Sequence, residues 1–487
     1  MIPIDISAVI NWLNNERGMD LSDSYYAQIQ IWEQWWRGYY KPFHCFKEVQ
    51  GTRVIERKLY TLKMAKKVCE DWASILLNDK TEIVVDDKQS SAFLQGADGT
   101  GGVFRQVNFW LKGNELIEKA FYSGTGAFVL KLDGMPLRDE DVVPDPTARI
   151  RLEYLPGNCI IPLTIRGGAI VEAAFASRVI EKGIPYIYLE AHELDGNGQY
   201  VIKNYYFKAK DQTLERQKLP EGVAETFFTR SPTPFFSIVT PNTVNNIANN
   251  NGLGISIFAN ALDNLMGVDL AYNNFCRDFY LGGKKVFYNK SLVQSARDEN
   301  GNMVSVAPDD VMQQLFFQMG DEADLDSENL VHEFNPSLRV AENKDGVQAQ
   351  LDYLSFKCGL GTKHYQFNAG SVVTATQYMG DKQELVQNAS KHYIVVESAL
   401  QQIVRALLWA GKTFLSAPVN PDANITVNFS DSYLIDDDTK RAQDKEDIRD
   451  GIMQKWEYRV KWYGEDELTA KAMAGNDDGL HFGDGDG

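Results

Sequence analysis

The chain has 487 residues, 44% apolar and 11% aromatic. That is enough to bury the cores of roughly two to four domains and excludes a disordered protein. Its 49 Lys and Arg against 67 Asp and Glu give a net charge of −18, excluding the basic surface that grips nucleic acid tightly. Five scattered cysteines (Cys45, Cys69, Cys159, Cys276, Cys358) form no C-x-x-C pair and suit reduced thiols in a cytosolic compartment. The N-terminus lacks a leader pattern, and no stretch reaches the roughly 18 consecutive apolar residues of a membrane span, so no membrane partner is expected.

In chain order, residues 7 to 40 read as helix with an aromatic run (Trp12, Trp32, Trp35, Trp36, Tyr39, Tyr40) that suits a helical domain packing its own core. Residues 54 to 78 read as a second helix, with Leu59, Leu62, Ala65, Val68, Cys69, Trp72 and Leu76 inward and Arg57, Lys58, Lys63, Lys66 and Lys67 outward. A third helix from Val103 to Ser123 stops at Gly124-Thr125-Gly126 and feeds a strand, Ala127 to Leu132. Strands then follow at Ile150 to Leu155, Ile160 to Ile165, Ile170 to Val179, Tyr186 to Leu194 and Gln199 to Phe207, the last two joined by Asp195-Gly196-Asn197-Gly198. The expectation is an α+β domain on a mostly antiparallel sheet. Residues 208 to 253, with Pro232, Pro234 and Pro241 and the Asn-rich run Asn245 to Asn251, read as a tether.

A helix from Ile255 to Leu281 follows, with Ile257, Ala261, Leu265, Val268, Tyr272, Phe275 and Phe279 as its packing stripe. Ser256, Asn260, Asp263, Asn264, Gly267, Asn274 and Asp278 fall on a separate polar arc without Lys or Arg. Gly282-Gly283 opens a compact insert with strands at Lys285 to Tyr288, Met303 to Val306 and Leu330 to Phe334 and a helix at Asp309 to Met319. A further helix, Ala341 to Cys358, presents Val347, Leu351, Leu354 and Cys358 on one side, and a glycine-flanked turn from Gly359 to Gly370 follows it. Thr374-x-x-Gln377 caps the longest helix, which runs to Ala410 with Leu385, Ala389, His392, Val396, Ala399, Ile403 and Leu407 inward and Gly380 as a bend point. A strand at Ile425 to Phe429, helices across 440 to 474 and a disordered Asp/Gly tail complete the chain.

Chemical motifs are scarce. Gly359-Leu360-Gly361-Thr362-Lys363 has the letters of a phosphate loop in the wrong order. The six histidines (His44, His192, His332, His364, His392, His481) lack metal-ligand spacing, and there is no G-x-S-x-G elbow. No cofactor, metal or catalytic residue is expected, and the chain reads as no enzyme.

Four segments carry a resemblance. Gly252-Leu253-Gly254-Ile255-Ser256-Ile257-Phe258-Ala259-Asn260-Ala261-Leu262-Asp263, continuing to Asp269-Leu270-Ala271-Tyr272, resembles the first stem helix of portal proteins from long-tailed double-stranded-DNA bacteriophages. Phe121-Tyr122-Ser123-Gly124-Thr125-Gly126-Ala127, Thr374-Ala375-Thr376-Gln377 and Val427-Asn428-Phe429-Ser430-Asp431-Ser432 are similar to further segments of that family, in the same order. Gln377 stands where the family usually carries an acid.

The resemblance implies a portal-like α+β architecture: a wing (1–253), a two-helix stem (254–282 and 336–360), a small α/β clip (283–335), a channel loop (361–373), a long kinked helix and strand (374–435), a helical crown (436–475) and an acidic tail (476–487). It implies a homo-oligomeric ring of about twelve copies at one capsid vertex, assembled in the bacterial cytoplasm and retained in the virion. Double-stranded DNA would pass through it non-specifically. Its implied partners are the terminase large subunit, a head-completion adaptor, and the major capsid and scaffolding proteins.

Helices about 10 Å across in such a ring leave a bore of ~28 Å, wide enough for a duplex. Ser256, Asn260, Asp263, Asn274 and Asp278 are then expected to line it, with neighbouring helices or outer solvent as the alternative surroundings for that arc. Thr362, Lys363, His364 and Tyr365 are expected to project into the bore as DNA contacts, a plain surface turn being the alternative. Another phage head or baseplate protein without a channel, and an unrecognised nuclease or hydrolase, remain as competing classes.

Overall fold

The computed structural model describes residues 6–475 except 51–52, 79, 98, 100, 139–140, 211–212, 249–250, 290–293, 298–299, 302, 307–315, 320–330, 367–374 and 430–436. It mixes helix and sheet, as an α+β chain should. The aromatic N-terminal stretch forms α1 (Ile6–Arg17) and α2 (Tyr26–Trp36), separated by a loop where one continuous helix was expected. Trp32 and Trp35 are fully buried, and Trp36 stacks on Tyr122 at 4.6 Å, so these rings serve the protein's own core.

A short α3 (Lys41–His44) leads into β1 (Cys45–Gln50) and β2 (Arg53–Lys58), an antiparallel hairpin. The helix expected from residue 54 therefore begins only at α4 (Met64–Leu76). The β-branched pair Val54 and Ile55 suits a strand, and Lys63 in the left-handed region at φ 56° marks the restart. The expected basic face is largely neutralised: Arg57 pairs with Glu48, Lys66 with Glu70 and Glu118, and Lys67 with Asp71.

Next come β3 (Glu82–Val85), α5 (Lys88–Gln95), α6 (Gly102–Gln106) and α7 (Phe109–Ser123), the last two divided at Asn108, whose φ of 52° breaks the expected single helix. The strands β4 (Gly126–Asp133), β5 (Leu137–Arg138), β6 (Asp141–Val142), β7 (Arg149–Pro156), β8 (Ile160–Arg166), β9 (Ala169–Glu181), β10 (Ile184–Leu194) and β11 (Tyr200–Lys210) follow. The Asp-Gly-Asn-Gly hairpin joins β10 to β11 as expected.

The expected tether instead supplies β12 (Thr213–Gln217), β13 (Thr226–Phe228) and β14 (Phe236–Val239). β12 and β13 extend the large sheet, ordered β12-β11-β10-β9-β8 with β13 also on β11, while β14 pairs with β4 in a second sheet, β14-β4-β7. Aromatic residues explain the difference: Phe235 and Phe236 are fully buried, so this segment has a core to join.

Beyond the body, α8 (Leu262–Leu281) leads out to a lobe of short strands, and α9 (Val340–Lys357) returns antiparallel to it. The lobe contains β15 (Lys285–Asn289), β16 (Gln294–Arg297), β17 (Met303–Val306), β18 (Phe316–Met319) and β19 (Val331–Phe334). Phe316–Met319 is a strand, parallel to β15, where the end of a helix was expected; residues 309–315 lie outside the described set.

α10 (Ala375–Phe414) runs through the middle of the body and continues past Gly380 without interruption. All seven residues of its expected stripe, from Leu385 to Leu407, are buried. Thr374, the expected cap, lies outside the described residues. β20 (Ile425–Asn428) pairs with β3, and α11 (Asp437–Arg449), α12 (Lys455–Tyr463) and α13 (Glu467–Gly475) end the described chain. The tail from 476 lies outside it.

Candidate functional site

Two segments about 130 residues apart make the joint from which α8 departs. Gly124, at φ 80°, ends α7 with its backbone against the Gly254 carbonyl, where any Cβ would collide. Thr125 Oγ1 accepts the Gly254 amide at 3.0 Å, and Tyr25 donates its hydroxyl to the Gly254 carbonyl at 2.8 Å. The Phe121 carbonyl at the end of α7 accepts the Ile257 amide at 2.9 Å and the Ser256 hydroxyl at 3.2 Å. These bonds hold residues 254 to 258 as a strap, with Ile255 and Phe258 fully buried. The regular helix therefore starts at Leu262, seven residues later than expected.

Seven residues into α8, Asp269 is 4% exposed and closes the joint. Its carboxylate takes Thr61 Oγ1 at 2.8 Å, the Leu62 amide at 2.8 Å and His44 Nε2 at 2.9 Å. One turn on, Asn273 Oδ1 accepts the Tyr60 amide at 3.2 Å. The Tyr40 amide donates to His44 Nδ1 at 2.8 Å, so the tautomer with hydrogen on Nε2 satisfies both ring nitrogens. A buried carboxylate thus fixes the root of the β1–β2 hairpin to the outgoing helix. Asp269 was not singled out from the sequence, although it lies four residues after Leu265 on the packing stripe, where an acid signals a buried partner.

Burial fades along the helix pair. Leu265 and Val268 on α8, and Leu351 and Leu354 on α9, are buried, while the outer faces of the pair expose Leu270, Tyr353 and Phe356; at the far end Phe279, Tyr280, Leu281, Leu338 and Val340 are all more than two-fifths exposed. The pair therefore leaves the body as an arm. Along α8 the solvent-facing stripe is Asp263, Leu270, Asn274, Arg277 and Leu281, so it includes an arginine that the expected arc lacks.

The five stem candidates separate accordingly. Asp263 and Asn274 share the exposed stripe. Asn260 is exposed but sits before the helix, exchanging hydrogen bonds with Asn246. Ser256 is a correction: it is 1% exposed and belongs to the strap, because the Phe121 carbonyl claims its hydroxyl. Asp278 turns toward α9, accepting Arg339 Nη2 at 3.0 Å and Asn343 Nδ2 at 2.8 Å; the Arg339 bond holds its carboxyl below the ordinary range.

After α9 the chain is seated before it turns outward. Trp72 donates its indole N–H to the Cys358 carbonyl at 3.0 Å, Asn388 donates to the Gly359 carbonyl at 3.1 Å, and Leu360 and Gly361 are buried. Thr362 and Lys363 are exposed. His364 and Tyr365, both expected to project, turn back onto α4. Tyr365 donates its hydroxyl to Asp71 at 2.8 Å and accepts Gln348 Nε2 at its carbonyl at 2.8 Å, and His364 Nε2 lies 3.4 Å from Asp71. Burial and then Asp71 push the Tyr365 phenol far up, while Asp71, though burial acts to raise it, is held down by hydrogen bonds from His364, Lys67 and Tyr365. Residues 367–373, the rest of the expected loop, lie outside the described set.

Between the two sheets a cleft of about 350 Å³ contains Lys131, Asp133, Arg151, Glu153, Tyr188 and Glu190. Lys131 Nζ lies 3.0 Å from each of Glu153 and Glu190 and 4.3 Å from the Tyr188 ring centre. Burial acts to raise Glu190, but Lys131 and His192 together hold the carboxyl low. This ammonium joins the two sheets. Among the described residues no cluster of His, Cys, Asp and Glu could hold a metal ion, and no helix is long and apolar enough to cross a membrane. The cysteines in the described residues are free thiols. No protein-family model matches the chain, and a search of curated proteins finds no match.

Proposed function

We propose that this chain is the portal subunit of a long-tailed double-stranded-DNA bacteriophage, a non-enzymatic head-tail connector through which the genome is packaged and later ejected. The observation that carries the reading is the projecting arm: α8 runs out to a small strand lobe, α9 returns, and both are bare at the far end. Such an arm cannot cover its own Phe279, Tyr280, Leu281, Leu338 and Val340, and exposed apolar groups clustered in this way mark a surface meant for a partner. Arms set side by side about an axis bury one another and leave a tube, the stem of a ring of about twelve copies. The wing is then the body, the clip the strand lobe between α8 and α9, and the crown α11 to α13.

The stripe of Asp263, Asn274 and Arg277 supplies one acid and one base per subunit, so a bore lined by it neither grips nor strongly repels a passing duplex. Thr362 and Lys363 remain the outward residues of the channel loop. The terminase motor and then a head-completion adaptor dock on the clip, with scaffolding and capsid proteins around the wing. If the stripe faces the duplex, Asp263→Arg with Asn274→Arg adds two phosphate-seeking groups per subunit and stalls packaging after the ring has formed. DNA filled per procapsid, measured by nuclease protection, checks this; normal filling with a normal ring rejects the lining assignment.

A further inference from the structure

The β1–β2 hairpin is fixed at its root and bare along its length. Asp269 and Asn273 hold His44, Tyr60, Thr61 and Leu62 at the two ends of the hairpin, so it leaves the body at a set place beside α8. Beyond that root it is unsupported: the strands pair only with each other among the described residues, and every β2 residue but Ile55 is exposed. An isolated two-stranded ribbon is marginally stable in water, and its outer edges offer unpaired backbone groups. Its far end carries the cross-strand pair Val49 and Val54, 70% and 63% exposed, and Phe46 lies on the opposite face. Four bases (Lys47, Arg53, Arg57, Lys58) outnumber two acids (Glu48, Glu56), so this ribbon is positive on a chain whose net charge is −18.

We infer that the hairpin is an assembly prong that docks on a second copy of this chain. A firm root beside a bare apolar end is the form of an interface element. The charge selects the occupant: the remainder of every copy is strongly acidic and complements the prong, which steers association. Prong and receiving surface are different parts of the molecule, so a head-to-tail contact can repeat from copy to copy and form a ring where the rotation closes, in line with the portal reading on which this inference rests.

The test is the assembly state of the full chain across a concentration series, read by light scattering after size exclusion. The variants are Val49→Asp with Val54→Asp, and Lys47→Glu with Arg53→Glu, both confined to the hairpin. Equal urea midpoints, measured below the concentration at which wild type assembles, establish that the fold is intact. The expected result is that wild type assembles and each variant needs at least about tenfold more protein to do so. Variants that assemble as wild type does overturn the prong and leave the ring reading standing. A wild type that stays monomeric at every concentration overturns both. Normal assembly of Lys47→Glu with Arg53→Glu, together with loss of filter-retained duplex DNA, identifies a nucleic-acid contact instead and overturns the prong.

Discussion

Replacing Asp269 by alanine is expected to cost the fold about 3–5 kcal/mol, since each donor left without its acceptor costs about 1–3 kcal/mol. Three donors converge on this carboxylate, from buried His44 and half-buried Thr61 and the Leu62 backbone, and all lose their acceptor. The loss is also local, because the bonds join the start of α8 to the root of the hairpin. Amide exchange at residues 60 to 63 should accelerate well beyond what global destabilisation accounts for, and the hairpin should become the first site of proteolysis. Asp269→Asn, which preserves volume and one acceptor oxygen, should fall between alanine and wild type. Urea unfolding with exchange mass spectrometry checks this, and an alanine variant within about 0.5 kcal/mol of wild type would remove Asp269 from the joint.

Acid should open the molecule at His392. This imidazole sits edge-on to Trp72 at 4.8 Å and Phe121 at 5.2 Å, and its Nδ1 accepts the Asn242 amide at 3.0 Å. Burial, and then the charge of Lys391, bring its pKa down from 6.5 to about 3. Unfolded, the ring binds its proton near pH 6.5; folded, only near 3. Between those values the unfolded chain holds the extra proton, so stability falls as pH falls through this window and is fully present above it. On this group alone the loss is on the order of 4 kcal/mol between pH 7 and pH 3.5. His392→Gln can retain an acceptor for Asn242 and has nothing to titrate, so it should be less stable at pH 7 yet lose stability more slowly on acidification. Unfolding free energies of both chains from pH 7 to 4 decide it, the carboxylates being common to both. Parallel pH profiles would show that His392 is not buried neutral.

How far the sequence reaches depends on whether a residue's role is local. The α10 stripe follows from one period, and every position on it is buried, because a helix enclosed by the body obeys its own 3.6-residue repeat. Strands β7 to β11 were legible for the same reason, through alternation and a strong turn signal. The failures are tertiary. Ile255 to Phe258 have helical spacing, but the Phe121 carbonyl captures Ser256 and Ile257 and draws the segment into a strap. Leu59 and Leu62 continue the α4 repeat backward, yet Tyr60 to Leu62 are bonded to α8 and the residues before them turn back as a hairpin. Of the candidate stem residues, only Asp263 and Asn274 share the exposed stripe of α8. That Asp278 would be absorbed by Arg339, and Tyr365 by Asp71, depended on partners 61 and 294 residues away.

Electron microscopy of the purified full-length protein in negative stain tests the central claim most directly. The account predicts rings of about a dozen copies, each with a stain-filled hole on the axis wide enough for a duplex. Particles that are solid at the centre, or single subunits at every concentration, would contradict it.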